Sequence, residues 1–137
     1  MKIRTDFVTN SSSSSMVTVI FEKKDGTKQK IESDVEERPG GVLENYDEES
    51  ILKMLKKISD GAGLFELLNG IYDSSYSKYR GQKGYKPCFD GKKVTDISFK
   101  DIDEVVIVSE FIDDGVPDGG VEVHYIPETK EIECNYF

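Results

Sequence analysis

The stretch VEVHYI places His124 two residues from Glu122, and because successive strand side chains alternate, the two share a face with Ile126. His124 is the chain's single histidine. An imidazole beside a carboxylate has the chemistry of a general base near neutral pH. No nucleophile can be nominated to complete it, and a lone histidine on a strand is ordinarily structural or exposed, so no catalytic residue is assigned. The two cysteines, Cys88 and Cys134, lie far apart and have no paired-ligand spacing. Both are read as reduced thiols. Cys134 alternates with Ile132 and Tyr136 in EIECNYF, the pattern of a small hydrophobe on the apolar face of a strand. Cys88 follows Pro87 in a polar stretch and is expected to be the more exposed and more reactive of the two.

Two charged regions could bind rather than catalyse. Tyr76 to Lys93 holds Lys78, Arg80, Lys83, Lys86, Lys92 and Lys93 against Asp90 alone, a net of +5, so the remainder of a chain of net charge −9 carries −14. Interleaved with those cations are Tyr76, Tyr79, Tyr85 and Phe89. Cations that neutralise phosphates and aromatic faces that stack on bases are the means of single-stranded nucleic-acid binding. A polyanion would nonetheless be repelled by the acidic remainder, and the bland alternative packs these aromatics onto the domain. Nucleic acid is therefore a disfavoured partner. Glu110, Asp113, Asp114, Asp118 and Glu122 surround DDGVPDGG and offer oxygen ligands to a hard cation, but their spacing fails the calcium-loop pattern. Turn chemistry explains the stretch, with Asp and Gly allowing the reversal and Pro117 presetting one backbone angle. No metal and no cofactor are expected.

Other motifs are missing. Gly61-Ala62-Gly63 has no strand before it and no third glycine at Glu66, so it reads as a helix break and not a phosphate cradle. There is no GK[ST] loop and no nucleophile elbow. An enzyme is disfavoured.

The elements that would position these residues are legible from periodicity. MVTVIFE at Met16 to Glu22 is β-branched and aromatic, Asp25-Gly26 supplies a hairpin turn, and KQKIES resumes as a second strand. Arg38-Pro39-Gly40-Gly41 disfavours any regular element and marks a connector. DEESILKMLKKIS carries Ile51, Leu55 and Ile58 at helical spacing beside Leu52, acids first and lysines later. Asp60 to Gly63 should end that helix, and LFELLNGIY should begin a second one that Asn69-Gly70 shortens. Tyr72 to Lys93 reads as a long loop. EVVIVSEFI, GVEVHYI and KEIECNYF form three strands of an antiparallel meander. The expectation is an α+β domain with a small antiparallel sheet of about five strands, in the order ββααβββ, and two helices on one face. The neighbours of each strand are left open.

At 137 residues, with 36% hydrophobic and 33% charged residues, the chain is one domain's worth. No membrane span is visible. Lys2 and Arg4 are interrupted by Asp6 and no apolar run follows, so no secretory signal is read and the expected compartment is cytoplasmic. Residues 1–15 read as a polar, serine-rich tail and residues 16–137 as a single domain. Ser11 to Ser15 bury too little to offset the roughly 1–2 kcal/mol per residue that ordering a backbone costs.

The segment Thr5 to Ser15, TDFVTNSSSSS, resembles a head segment carried by a set of small uncharacterised bacterial proteins, in which phenylalanine generally follows the serines; Met16 stands there in this chain. The resemblance implies shared handling and no activity. Ile3, Thr5 and Phe7 alternate with charged or polar neighbours, a pattern that could add as a strand to a sheet edge, with the serines as tether. Ile3, Phe7 and Val8 are the expected contacts with an unidentified protein partner. The resulting expectation is a non-catalytic protein-interaction module; a tail that serves as a substrate for modification or proteolysis, and weak nucleic-acid binding through Tyr76, Lys78, Tyr79, Arg80, Lys83, Tyr85 and Lys86, are the alternatives.

Overall fold

A computed structural model describes residues 13–33, 42–75, 88–89, 95–113 and 116–137. Strands β1 (Ser13–Lys23), β2 (Lys28–Glu32), β3 (Ile102–Asp113), β4 (Val116–Ile126) and β5 (Glu131–Tyr136) form one antiparallel sheet in the spatial order β2-β1-β3-β4-β5. Helices α1 (Glu48–Leu55) and α2 (Gly61–Ser75) lie between β2 and β3 in sequence. The result is a small α+β fold with the five antiparallel strands and two helices expected. Among the described residues two 3-10 turns, Leu43–Asn45 and Phe99–Asp101, interrupt the expected order.

β1 shows why the sheet has two unlike faces. Val17, Val19 and Phe21 are fully buried, while Met16, Thr18, Ile20 and Glu22 between them are only partly so. The buried set meets Val105 and Ile107 of β3, Val123 of β4, Ile51 and Leu55 of α1, and Leu64 and Leu68 of α2 in one cluster. Phe21 lies centrally in it, its ring 6.3 Å from that of Phe65 on α2 and 6.4 Å from that of Phe99. Each such fully buried side chain contributes about 1.5–3 kcal/mol through water exclusion.

Local chemistry explains the element ends. Asp25 turns the β1–β2 hairpin by accepting from the Thr27 backbone at 2.9 Å and the Thr27 hydroxyl at 2.6 Å, beside Gly26 at φ +91°, a conformation that glycine adopts without strain. Those two bonds hold the Asp25 carboxyl below its ordinary range. Asp47 caps α1 by accepting from Ser50 N–H at 2.8 Å. α2 departs from expectation, because Gly61-Ala62-Gly63 form its first turn and do not act as a break. Asp60 caps it by accepting from Gly63 N–H at 2.7 Å, and a Cβ at Gly61 would meet Thr95 Cγ2 at 2.7 Å. Glycine is there for close approach. Asn69-Gly70 do not shorten α2, since Asn69 turns its amide to the Phe89 backbone, donating to the carbonyl at 3.1 Å and accepting from the N–H at 2.7 Å.

Two strand boundaries also move. β1 begins at Ser13, ahead of Met16, with Ser13, Ser14 and Ser15 opposite Asp113, Ile112 and Phe111. Ser15 is buried. The backbone of these serines is bonded into β3, which a composition argument about side-chain area does not register. Likewise most of the DDGVPDGG connection is strand, with Asp113 opposite Val116 and Ile112 opposite Pro117. The register slips once between Glu110 and Ile112, a bulge beside the proline that has no N–H to give.

A polar clamp fastens the first 3-10 turn to β3. Ser109, fully buried, accepts from Leu43 N–H at 3.0 Å and donates to the Glu44 carboxylate, which also accepts from Val42 N–H at 2.8 Å. The second Glu44 oxygen is buried and has no hydrogen-bond partner among the described residues. Replacing Ser109 with alanine would leave an N–H and a carboxylate oxygen short of partners in a dry site. We expect Ser109→Ala to cost about 1–3 kcal/mol in urea unfolding with an unchanged m-value; Ser109→Ala unfolding at the wild-type midpoint would show that the clamp does not hold the fold.

Candidate docking face

Pairing register determines which residues share the face that the helices do not join. Lys30 of β2 lies opposite Ile20, Ile20 opposite Val106, Val106 opposite His124 and His124 opposite Glu133. One position along, Glu32, Thr18, Val108, Glu122 and Asn135 form a parallel row. Directly opposed residues of antiparallel strands present side chains on the same face. Met16, Ile20, Val106 and Val108 are therefore an apolar centre, partly exposed, and none of them belongs to the buried cluster.

Charge is divided across this face. Lys28 and Lys30 stand on β2 at one side, both exposed. Glu104, Glu122, Glu131 and Glu133 stand on β3, β4 and β5. Lys28 lies 3.5 Å from Glu22 and Lys30 3.4 Å from Glu32, both surface pairs that add little stability.

His124 is held between two of those acids. Its Nε2 lies 2.7 Å from Glu122 Oε2 and its Nδ1 3.4 Å from Glu104 Oε2. The Glu122 hydrogen bond raises the imidazole pKa above its ordinary 6.5, against the opposing effect of desolvation, and Glu104 adds to the rise. Glu122 and Ile126 sharing its face agrees with the sequence pattern; the Glu104 contact does not follow from that pattern. With both ring nitrogens turned to carboxylates, the protonated imidazole is a fixed cation within an acidic patch.

The other residues singled out by the sequence fall in different places. Ile3, Phe7 and Val8 lie outside the described residues, as do Tyr76, Lys78, Tyr79, Arg80, Lys83, Tyr85 and Lys86. Phe89 from that basic stretch is fully buried and stacked on Phe65, centroids 4.7 Å apart at 18°, so its ring is core and not a base-stacking platform. Cys88 is buried too, contrary to the expected exposure, because the chain at Phe89 is drawn inward by Asn69. Cys134 is half-buried against the core, and burial together with the Glu48 carboxylate pushes its thiol up to about 11. Neither cysteine is placed for reactivity. Among the described residues no group of three His, Cys, Asp or Glu could hold a metal ion.

A cleft of about 520 Å³ lies elsewhere, where the β4–β5 turn meets the second 3-10 turn and the start of α2, lined by Lys24, Asp60, Lys100, Tyr125 and Glu128 among others. Of its charged lining, Lys24 lies 3.9 Å from Glu128. Among the described residues no helix is long and apolar enough to cross a membrane. No protein-family model matches the chain, and neither a curated protein nor a solved structure does.

The single histidine makes the cluster testable. A pKa raised on folding means that the pairing stabilises the fold below pH 6.5 and that this contribution is lost as pH rises through the raised value. The His124 ring resonance should titrate with a midpoint above 6.5 by NMR, and Glu122→Gln should bring the midpoint down. The stability advantage of wild type over Glu122→Gln should be present near pH 6 and fade as the imidazole deprotonates. A midpoint at or below 6.5 would contradict the geometry.

Proposed function

We propose that the protein is a non-catalytic, cytoplasmic protein-interaction module of bacterial type that docks through the open face of its sheet, with the N-terminal segment as its recognition or handling element. The observation that carries this reading is the partly exposed apolar centre of Met16, Ile20, Val106 and Val108 on a sheet whose other face is sealed by two helices. A monomeric antiparallel sheet with one wet face normally carries polar residues there, and contiguous apolar surface rimmed by charge is the composition of a protein contact. Residues 1–12 run directly into β1, the strand whose even-numbered residues line that face. Ile3, Phe7 and Val8 remain the anchors we assign to the segment.

The test is site-specific photocrosslinking of the full chain in cells. A photoreactive residue at Thr18 or Val108 should give a discrete protein adduct, and one at the exposed Glu66 on α2 should not. Removing residues 1–12, which spares β1, should lower the yield of the adduct while thermal unfolding stays unchanged. Absence of any adduct at Thr18 and Val108, or equal labelling at Glu66, would overturn the docking-face reading; an adduct unaffected by the deletion would overturn the role of the segment.

A further inference from the structure

The distribution of charge on the open face is complementary to itself. Order β2-β1-β3-β4-β5 puts β3 in the middle, Lys28 and Lys30 with Glu32 on β2 at one margin and Glu131 and Glu133 on β5 at the other. A two-fold axis running along β3 between two such faces exchanges the margins, so β2 of one copy lies over β5 of the other. A two-fold axis across the strands lays β2 on β2 and β5 on β5; centred on the Lys30 row it sets Lys30 on Lys30 and Glu133 on Glu133, and only Lys28 finds an acid, Glu32. Only the first arrangement brings both lysines of β2 over acids, with Glu32 over Asn135.

We propose that the occupant of the open face is a second copy of this chain, stacked sheet on sheet in a two-fold dimer with β2 of each protomer over β5 of the other. This rests on the docking-face reading above and names the partner. Row by row, Lys28 then meets Glu131 of the facing copy and Lys30 meets Glu133: Lys30, Ile20, Val106, His124 and Glu133 form one cross-sheet row, and the next holds Lys28, Glu22 and Glu104 on one side and Ile126 and Glu131 on the other, one step beyond the Val105–Tyr125 pair. Val106 and Val108, on the axis, meet their own equivalents. Ile20 of one copy comes over His124 of the other. Glu104 and Glu110 near the ends of the β3 contact would meet like charges, which opposes the pairing there and weakens the association. Glu104 also has the His124 ring at 3.4 Å on its own sheet.

Size places the dimer in the weak class. Four gaps of ~4.8 Å across five strands, and seven residues at ~3.4 Å along them, give a face on the order of 500 Å² before side-chain relief is counted. Standard interfaces bury about 800 Å² per partner. Net charge of −9 on each copy adds long-range repulsion. Association should therefore show at high protein concentration, driven by the apolar centre and oriented by the charged margins.

Sedimentation equilibrium over a wide concentration range tests this. The full-length chain should move from 15.4 kDa toward twice that mass as concentration rises. Lys28→Glu with Lys30→Glu should weaken association at least tenfold, and Glu131→Lys with Glu133→Lys should do the same. All four substitutions in one chain should restore it, since the margins are then exchanged but still opposite; a β2-on-β2 dimer would gain nothing from the fourfold change. All these positions are exposed, and circular dichroism checks that each variant is folded. A monomer at every concentration, or doubles that dimerise like wild type, or a fourfold variant that stays dissociated, would overturn the proposal. Crosslinking at Thr18 or Val108 to a different protein, with the chain itself monomeric, would overturn the second copy as occupant and leave the docking face standing.

Discussion

β1 lies between β2 and β3, so from Thr18 to Glu22 its backbone is bonded on both sides and its side chains have no freedom to exchange faces. A slip of one residue would turn Val17, Val19 and Phe21 outward and draw Glu22 into the cluster that Phe65 and Phe99 complete. That constraint fixes both halves of the molecule. The same alternation that seals the core against α1 and α2 presents Met16, Thr18 and Ile20 on the other side, and β3 and β4 repeat the division at Val106, Val108, Glu122 and His124.

Polar side chains hold the frame where backbone pairing runs out. Phe137 and Gly120 exchange N–H donors, at 2.9 and 3.0 Å, which sets the alternation along β5 and turns the Cys134 N–H away from β4. Glu48, in the first turn of α1, accepts from it at 2.9 Å, so the helix that fills the core also guards this edge. The Tyr136 hydroxyl adds a bond to the Tyr46 carbonyl at 2.7 Å. β2, the opposite edge strand, is five residues long with Lys28 and Lys30 among them, a composition that discourages uncontrolled pairing. Gly120 itself has no room for a side chain, because a Cβ would lie 2.7 Å from both the Phe137 ring and the Ser109 carbonyl. Ser109 thus meets the Glu44 clamp through its side chain and the β4–β5 pairing through its backbone neighbour.

Local signals carry much of this architecture. Alternation in MVTVIFE, the Asp25-Gly26 turn and the spacing of Ile51 and Leu55 suffice for two strands and a helix, because each element's own period is set by the face it buries. The start of α2 is hidden from such signals because Gly61 answers to Thr95, a neighbour distant in sequence, and glycine at a crowded contact looks the same as glycine at a break. The burial of Cys88 and Phe89 is hidden because two buried residues in a polar run leave no periodicity, and Asn69 is what draws them in. The Glu104–His124 contact requires the β3–β4 register. Pairing Asp113 with Val116 and continuing without interruption would put Glu104 opposite Tyr125, on the core side; the slip at the bulge moves it opposite Ile126 and onto the open face. The bulge follows from no simple spacing. The face as a whole is legible residue by residue, but its division into basic and acidic margins exists only once the order β2-β1-β3-β4-β5 is known.

The proposed docking depends on one physical division, a sealed face and an open face on the same sheet, distinguished by parity alone. Thiol labelling reads that parity directly. Cysteines introduced singly at Thr18, Val19, Ile107 and Val108 would be exposed to a water-soluble maleimide in dilute, folded protein, with the labelled position identified by peptide mapping so that Cys88 and Cys134 are scored separately. Rapid modification at 18 and 108 and protection at 19 and 107 are expected, for variants that remain folded. Equal protection at all four positions would mean that both faces are sealed within one chain, and would contradict the docking face and everything built on it.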